Sequence, residues 1–452
     1  MRKLFLISIV IFFSAVFTTG FCAANETDAT GKRIVAYYPN WAIYSGHRGY
    51  FPMSIPWGKL THVNYAFAKI VDGEVVSCDE GADFSLGAIA GFRKYKELHP
   101  HVKSLISIGG WSMSGGFHDA AATEESRVKF VKSAIEYMKS YGFDGIDIDW
   151  EYPTFRRSAD KEDNPNDEGT PKGDASEKYT FTLLLKDLRE ALDEQGELDG
   201  KEYLLTAAVA AGKSKIEGTQ PDEYIQYLDF INLMTYDIIG GSSEMTGHHS
   251  ALYPNPNIPE EGMPDEYVSV DEAVKMYLER GVPKDKIVIG SPFYSKGWQG
   301  VKPVEVIEGL PGLFVENEGP VRGIWDGGKN SGVNPYYYIM EKMIPDWGFK
   351  VYHDEISKAA FMYNEEKEEF YSFEDKYSVG QKVDYVLNEE LGGIIFWEVT
   401  ADFPAVGGTE LLDVIVNGFY GRDEIVHYEF EEKPENETLK KLKEKWKNRK
   451  KD

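Results

Sequence analysis

Asp144-Gly145-Ile146-Asp147-Ile148-Asp149-Trp150-Glu151-Tyr152-Pro153 places carboxylates on every second residue of an apolar run. A β-strand sends alternate side chains to opposite faces, so Asp147, Asp149 and Glu151 project together while Ile146, Ile148 and Trp150 project the other way. With two isoleucines and a tryptophan on the second face and a Tyr-Pro stop behind it, the run reads as an interior parallel strand and not as a wet edge. Burying three acids in a row is costly unless chemistry requires it. Mutual repulsion and desolvation raise at least one carboxyl pKa, which holds a proton ready for a leaving group at near-neutral pH.

Outward from this strand, short β-branched or aromatic runs alternate with helical patterns. The runs are Ile34–Tyr38, Leu60–Ala68, Ser104–Ile108, Gly145–Trp150, Leu204–Ala210, Phe230–Tyr236, Ile287–Pro292 and Gly393–Trp397. Between them, stretches such as Ser126–Tyr141 and Tyr179–Gln195 carry apolar residues at three- and four-residue spacing. Eight strands with intervening helices predict an α/β fold, a (β/α)8 TIM barrel, with its active site at the C-terminal strand ends. The rhythm breaks over 298–372, where Gly/Pro-rich turns and short strands replace the next helix. The stretch looks like the small α+β insertion domain that some similar barrels carry between their seventh and eighth strands, and Phe314, Trp325 and Tyr336–Tyr338 belong to it. The catalytic barrel then occupies 33–297 and 373–420. The polar segment Arg156–Glu177 reads as a surface loop.

The spacing Asp144-x-x-Asp147-x-Asp149-x-Glu151 resembles the catalytic strand of glycoside hydrolase family 18, the family of many chitinases. Further segments fit the family in order over about residues 33–420: Tyr37-Tyr38-Pro39-Asn40-Trp41, Tyr65-Ala66-Phe67-Ala68, Ser107-Ile108-Gly109-Gly110-Trp111, Met234-Thr235-Tyr236-Asp237, Pro292-Phe293-Tyr294 and Gly392-Gly393-Ile394-Ile395-Phe396-Trp397-Glu398. The resemblance implies hydrolysis of β-1,4 links between N-acetylglucosamine units of chitin or chitooligosaccharides, with retention and with the substrate's acetamido group as nucleophile. It also leaves open another N-acetylglucosamine linkage, as in endo-β-N-acetylglucosaminidases or peptidoglycan-directed members. A non-catalytic chitin-binding lectin is the reading from outside the enzymes, and retention of Glu151 speaks against it.

On the same resemblance, Glu151 is the general acid, Asp149 orients the acetamide, Asp147 shares a proton with Asp149, and Tyr236 holds the acetyl oxygen. Trp397 would form the floor beneath the sugar, Met234 would line it, and Asp237 would accept a sugar hydroxyl. Tyr37, Phe67, Trp111, Tyr152 and Tyr294 would line the cleft. Gly110, with Gly109, would let substrate or a neighbouring strand approach closely. One departure is Lys296, where the family often carries Arg; an ammonium lacks the planar bidentate fork.

Met-Arg-Lys, the apolar stretch Leu4–Phe17 and a small-residue exit predict a secretory signal peptide over 1–24 and an extracellular protein. The stretch is too short to span a bilayer comfortably, and no membrane span is expected in the mature chain. Of two cysteines only Cys78 would remain, so no intramolecular disulfide is expected. A net charge of −26 argues against nucleic acid as partner. Aromatic residues make up 14%, a minority of which would serve as sugar platforms. His248-His249 lacks a metal-ligand spacing, so neither metal nor cofactor is expected, and the protein is expected to act as a monomer. The tail 421–452 is charged; its last fifteen residues hold eight Lys/Arg against two acids, with Leu439, Leu442 and Trp446 at helical spacing.

Overall fold

In the computed structural model the eight runs become β1 (Arg33–Pro39), β2 (His62–Val71), β3 (Lys103–Gly109), β4 (Gly145–Asp149), β5 (Leu204–Ala210), β6 (Phe230–Met234), β7 (Ile287–Pro292) and β8 (Gly393–Trp397). The structure describes residues 31–421 except 163 and 260. The expected signal peptide and the tail beyond 421 lie outside the described residues. Each strand pairs in parallel with the next, from β2 against β3 round to β7 against β8. β1 meets β8 on one side, Ile34 opposite Ile394, and β2 on the other, Tyr37 opposite Asn64. The sheet therefore closes into the (β/α)8 barrel that the alternation predicts.

Strand alternation divides the apolar residues between two cores. Val35, Tyr37, Ala66, Phe67, Phe230, Val288 and Ile395 fill the barrel, whereas Ile146, Ile148 and Trp150 face outward beneath the helices. The Trp150 ring stacks on Phe117 at 5.1 Å. The helix that follows β3 runs Glu124–Tyr141 and starts with a capping box in which Thr123 and Ser126 serve each other's backbone N–H. It buries Phe130, Val131, Ile135 and Met138 together with Ala134, and each of the four larger side chains contributes about 1.5–3 kcal/mol when fully buried. Gly142, at φ +78°, ends it in the left-handed region.

Two strands stop sooner than their apolar runs suggest, and a side-chain hydroxyl explains each. β4 ends at Asp149 because the Glu151 N–H donates to Ser114 Oγ at 2.9 Å. β6 ends at Met234 because Thr235 Oγ1 takes over the contact to β7, accepting from Gly290 N at 2.8 Å.

Between β7 and β8 lies a four-stranded antiparallel sheet of Lys296–Trp298, Lys350–Asp354, Ala359–Asn364 and Glu369–Phe373. It begins two residues before the expected start at 298 and ends one residue after 372. Trp298, Phe361 and Phe370 of the sheet pack with Phe314 in a separate core. A buried tether joins the sheet to the loop after β6: His248 Nε2 meets Asp354 Oδ2 at 3.2 Å, and Asn255 Nδ2 donates to the same oxygen at 2.8 Å. His248 and His249, both in that loop, are buried. Among the described residues no helix is long and apolar enough to cross a membrane.

Candidate active site

The acids of β4 stand at the barrel's C-terminal mouth in a graded environment. Asp147, deepest and fully buried, accepts four hydrogen bonds: Tyr37 Oη at 2.8 Å and Ser107 Oγ at 2.7 Å on Oδ2, Thr206 Oγ1 at 2.5 Å and Asn232 Nδ2 at 3.1 Å on Oδ1. Burial raises its pKa and these four donors oppose the rise. The oxygens of Asp147 are met by side chains from β1, β3, β5 and β6, and its charge is one of the causes that raise the carboxyl of Asp149.

Asp149 is buried, and its Oδ1 has no protein hydrogen-bond partner. Burial, then the charges of Glu151 and Asp147, push its carboxyl well above the ordinary range. Glu151, half-buried just beyond the strand end, is raised to about 7 by burial. A hydrogen bond from Tyr152 opposes this, Asp237 adds to it, and Arg157 and Lys215 pull against it. Two neighbouring carboxyls with raised pKa values, one of them lacking a protein partner, form a site able to deliver and retrieve a proton near neutral pH.

Glycines bring β3 close enough to frame this pair. Gly109 (φ +107°) and Gly110 (φ +83°) both lie in the left-handed half of the map, and Gly110 N donates to Asp149 O at 2.7 Å. A Cβ on Gly109 would sit 2.2 Å from Asp149 O, and one on Gly110 would sit 2.7 Å from the Phe67 ring. Ser114 Oγ ties the turn, donating to Gly110 O at 2.9 Å.

The aromatic residues form a second wall. The Trp397 ring, half-exposed at the end of β8, stacks on Phe67 (5.7 Å, 14°) and meets Tyr37 (5.5 Å) and Trp41 (6.2 Å). Tyr37 joins this wall to the acids, since its ring touches Trp397 while its hydroxyl reaches Asp147. Across the mouth, Tyr236 is half-buried and meets Tyr294 edge-on at 6.4 Å, with Met234 buried below. Tyr294 Oη donates to Asp237 Oδ1 at 2.8 Å. Lys296 Nζ stands 3.2 Å from that same oxygen, and His249 Nδ1 3.6 Å. Burial would raise the pKa of Asp237, but Lys296 and the His249 and Tyr294 contacts outweigh it and hold the carboxyl well below its usual range. Lys296 is therefore an ion-pair partner of Asp237.

Trp111 stands apart from the Trp397 wall. It is 46% exposed, with the Arg157 guanidinium 3.9 Å over its ring. Arg157 is held by both oxygens of Asp167, so the loop after β4 covers one face of this tryptophan. Tyr152, next to Glu151, carries the Lys215 ammonium 4.8 Å over its ring.

Sequence reasoning missed Thr206 and Asn232 as partners of Asp147. The available signal was a lone polar residue in an otherwise apolar strand. Among the described residues, no three His, Cys, Asp or Glu side chains are grouped to hold a metal.

The sequence profile described as glycosyl hydrolases family 18 matches residues 33–402. Chitinase A1 of Niallia circulans is 32% identical over 423 residues, covering 84% of this chain and 58% of its own length. Chitinase 1 of Aphanocladium album is 31% identical over 424 residues, covering 90% of each. Among solved structures, chitinase ChiA74 from Bacillus thuringiensis superposes with a TM-score of 0.79 at 31% identity, over 88% of this chain and 71% of that one.

Proposed function

The chain belongs to family 18 of the glycosyl hydrolases, and from that premise we propose that it is a secreted, monomeric chitinase. It cleaves β-1,4 bonds between N-acetylglucosamine units with retention, using the substrate's own acetamide. The observation that carries this reading is the neighbouring pair Asp149–Glu151, in which Glu151 is raised to about 7 and Asp149 Oδ1 lacks a protein donor.

Glu151 gives its proton to the glycosidic oxygen as the C1–O bond breaks. The acetamide oxygen attacks C1 from the opposite face, which forms an oxazolinium ion and releases the leaving sugar as an alcohol. Asp149 receives the acetamide N–H on its vacant oxygen. The positive charge developing on the ring then favours the ionised form of this carboxyl, which burial and its neighbours otherwise disfavour. Asp147, one step deeper, shares a proton with Asp149 and takes it up as Asp149 ionises. Tyr236 donates to the acetyl oxygen and holds it in attack geometry, while Trp397 supports the distorted ring. Water next adds to C1, Glu151 takes its proton, and the acetamide re-forms.

The names of the two chitinase relatives support chitin as substrate, and the apolar stretch Leu4–Phe17 supports secretion. Reducing-sugar release from colloidal chitin tests the reading against its nearest rival. Activity on chitin that disappears in E151Q supports it. Activity confined to peptidoglycan would replace the substrate while keeping the chemistry, and binding without hydrolysis by the unaltered protein would leave only a lectin.

A further inference from the structure

Lys382 and Glu374 form an ion pair buried in the protein, with relative exposures of 1% and 3%, and the mechanism above makes no use of it. Isolated ions of this kind are costly to bury, and their mutual attraction offsets the cost only when the remaining donors and acceptors are also satisfied. Here they are. Besides Glu374, the ammonium donates to Ser250 Oγ at 2.5 Å and to the Gly290 carbonyl at 3.2 Å. The other carboxylate oxygen of Glu374 accepts from Ser378 Oγ.

The two further contacts of Lys382 converge on Tyr236 from both sides. Ser250 Oγ in turn donates a hydrogen bond to the Thr235 carbonyl at 2.6 Å, at the peptide bond that leads into Tyr236. Gly290 is the surface on which the Tyr236 ring lies, for a Cβ there would come within 2.6 Å of the ring. Thr235 Oγ1 closes the circuit, donating to Gly290 O at 3.0 Å and accepting from Gly290 N at 2.8 Å. One ammonium thus fixes both the backbone that carries Tyr236 and the backbone that its ring rests on. Glu374, directly after the last strand of the inserted sheet (Glu369–Phe373), brings that sheet into the same network.

We propose that Lys382, paired with Glu374, is a positioning residue that sets the placement of Tyr236 through Ser250, Thr235 and Gly290. The inference rests on the role given to Tyr236 in holding the acetyl oxygen. It assigns the buried pair to the reaction in addition to the fold, and it links the inserted sheet to the rate of the chemical step.

A double-mutant cycle tests it. Removing one partner strands a buried charge, so the pair is replaced together as K382M/E374L, a change that is often neutral for stability. In the Tyr236 background this variant should melt near the wild type yet lose roughly tenfold in kcat on chitotetraose with KM little changed, whereas in Y236F the same replacement should cost less than about twofold. S250A, which breaks the relay without removing a charge, should show a smaller loss with the same dependence on Tyr236, and it decides the matter if the paired variant fails to fold. Equal factors in both backgrounds, or wild-type kcat in the folded variants, would overturn the inference and leave the pair purely structural. Wild-type activity in Y236F itself would instead overturn the role given to Tyr236.

Discussion

Tyr37 donates its phenolic hydrogen to Asp147 Oδ2 across 2.8 Å while its ring lies 5.5 Å from that of Trp397. A single side chain therefore couples the charge at the base of the acid column to the aromatic wall. Y37F keeps the ring and removes one of four donors to a buried carboxylate. The expected cost is about 1–3 kcal/mol of stability, the usual penalty for a deprived buried acceptor, together with a lower kcat. Urea unfolding and kcat measured side by side check this; an unchanged unfolding midpoint would show that the remaining donors suffice.

E151Q removes the transferable proton with little change in shape. Its kcat on chitotetraose should fall by roughly 10²–10⁴-fold while oligosaccharide affinity is kept. Calorimetric binding and single-turnover kinetics separate the two quantities. Near-wild-type hydrolysis would falsify the assignment of Glu151.

The acid must be protonated to act, and burial places its titration at about 7. The rate kcat/KM should therefore fall as pH rises through about 7, with an apparent value that belongs to the Asp149–Glu151 pair jointly. A rate that holds flat well above that pH would contradict this placement.

Glu398 gives a pH effect on stability alone. Burial raises its carboxyl to about 8, opposed by a hydrogen bond from Thr400. The folded state then holds a proton that the unfolded state releases at lower pH, so this group's contribution to stability is full below the ordinary Glu range and is lost as pH rises toward 8. E398Q, which cannot ionise, should raise the urea midpoint near the top of that range and leave it nearly unchanged near pH 4. Equal shifts at both ends would mean that the carboxyl is not titrating.

W397A tests the floor beneath the sugar. The ring is half-exposed and stacked on Phe67, so truncation should lower stability by less than the 3–5 kcal/mol of a fully buried Trp while reducing kcat/KM by a larger factor. A steep fall in melting temperature with unchanged activity per folded molecule would make Trp397 a core residue.

The acid column, the eight strands and the aromatic cluster were legible in the sequence because each depends on local periodicity or on a contiguous motif. The ring of donors around Asp147 was not. Thr206 and Asn232 each sit alone in an apolar strand, Ser107 shares its strand with Lys103 and Ser104, and alternation along one strand cannot reveal which strands converge. Arg157 over Trp111 and Lys382 against Glu374 were hidden for a related reason, since charged residues in a loop and a helix read as solvated until tertiary packing buries them. The two strand ends that fell short of their apolar runs were set by hydroxyls, Ser114 and Thr235, whose partners lie on other segments.

The central claim is that the substrate's acetamide forms an oxazolinium ion beside Asp149 and Glu151. Inhibition by chitobiose thiazoline, a stable mimic of that ion, tests it most directly. The thiazoline should bind at least about 10²-fold more tightly than chitobiose, because the site is complementary to the charged ring. A thiazoline that binds no more tightly than chitobiose would contradict it.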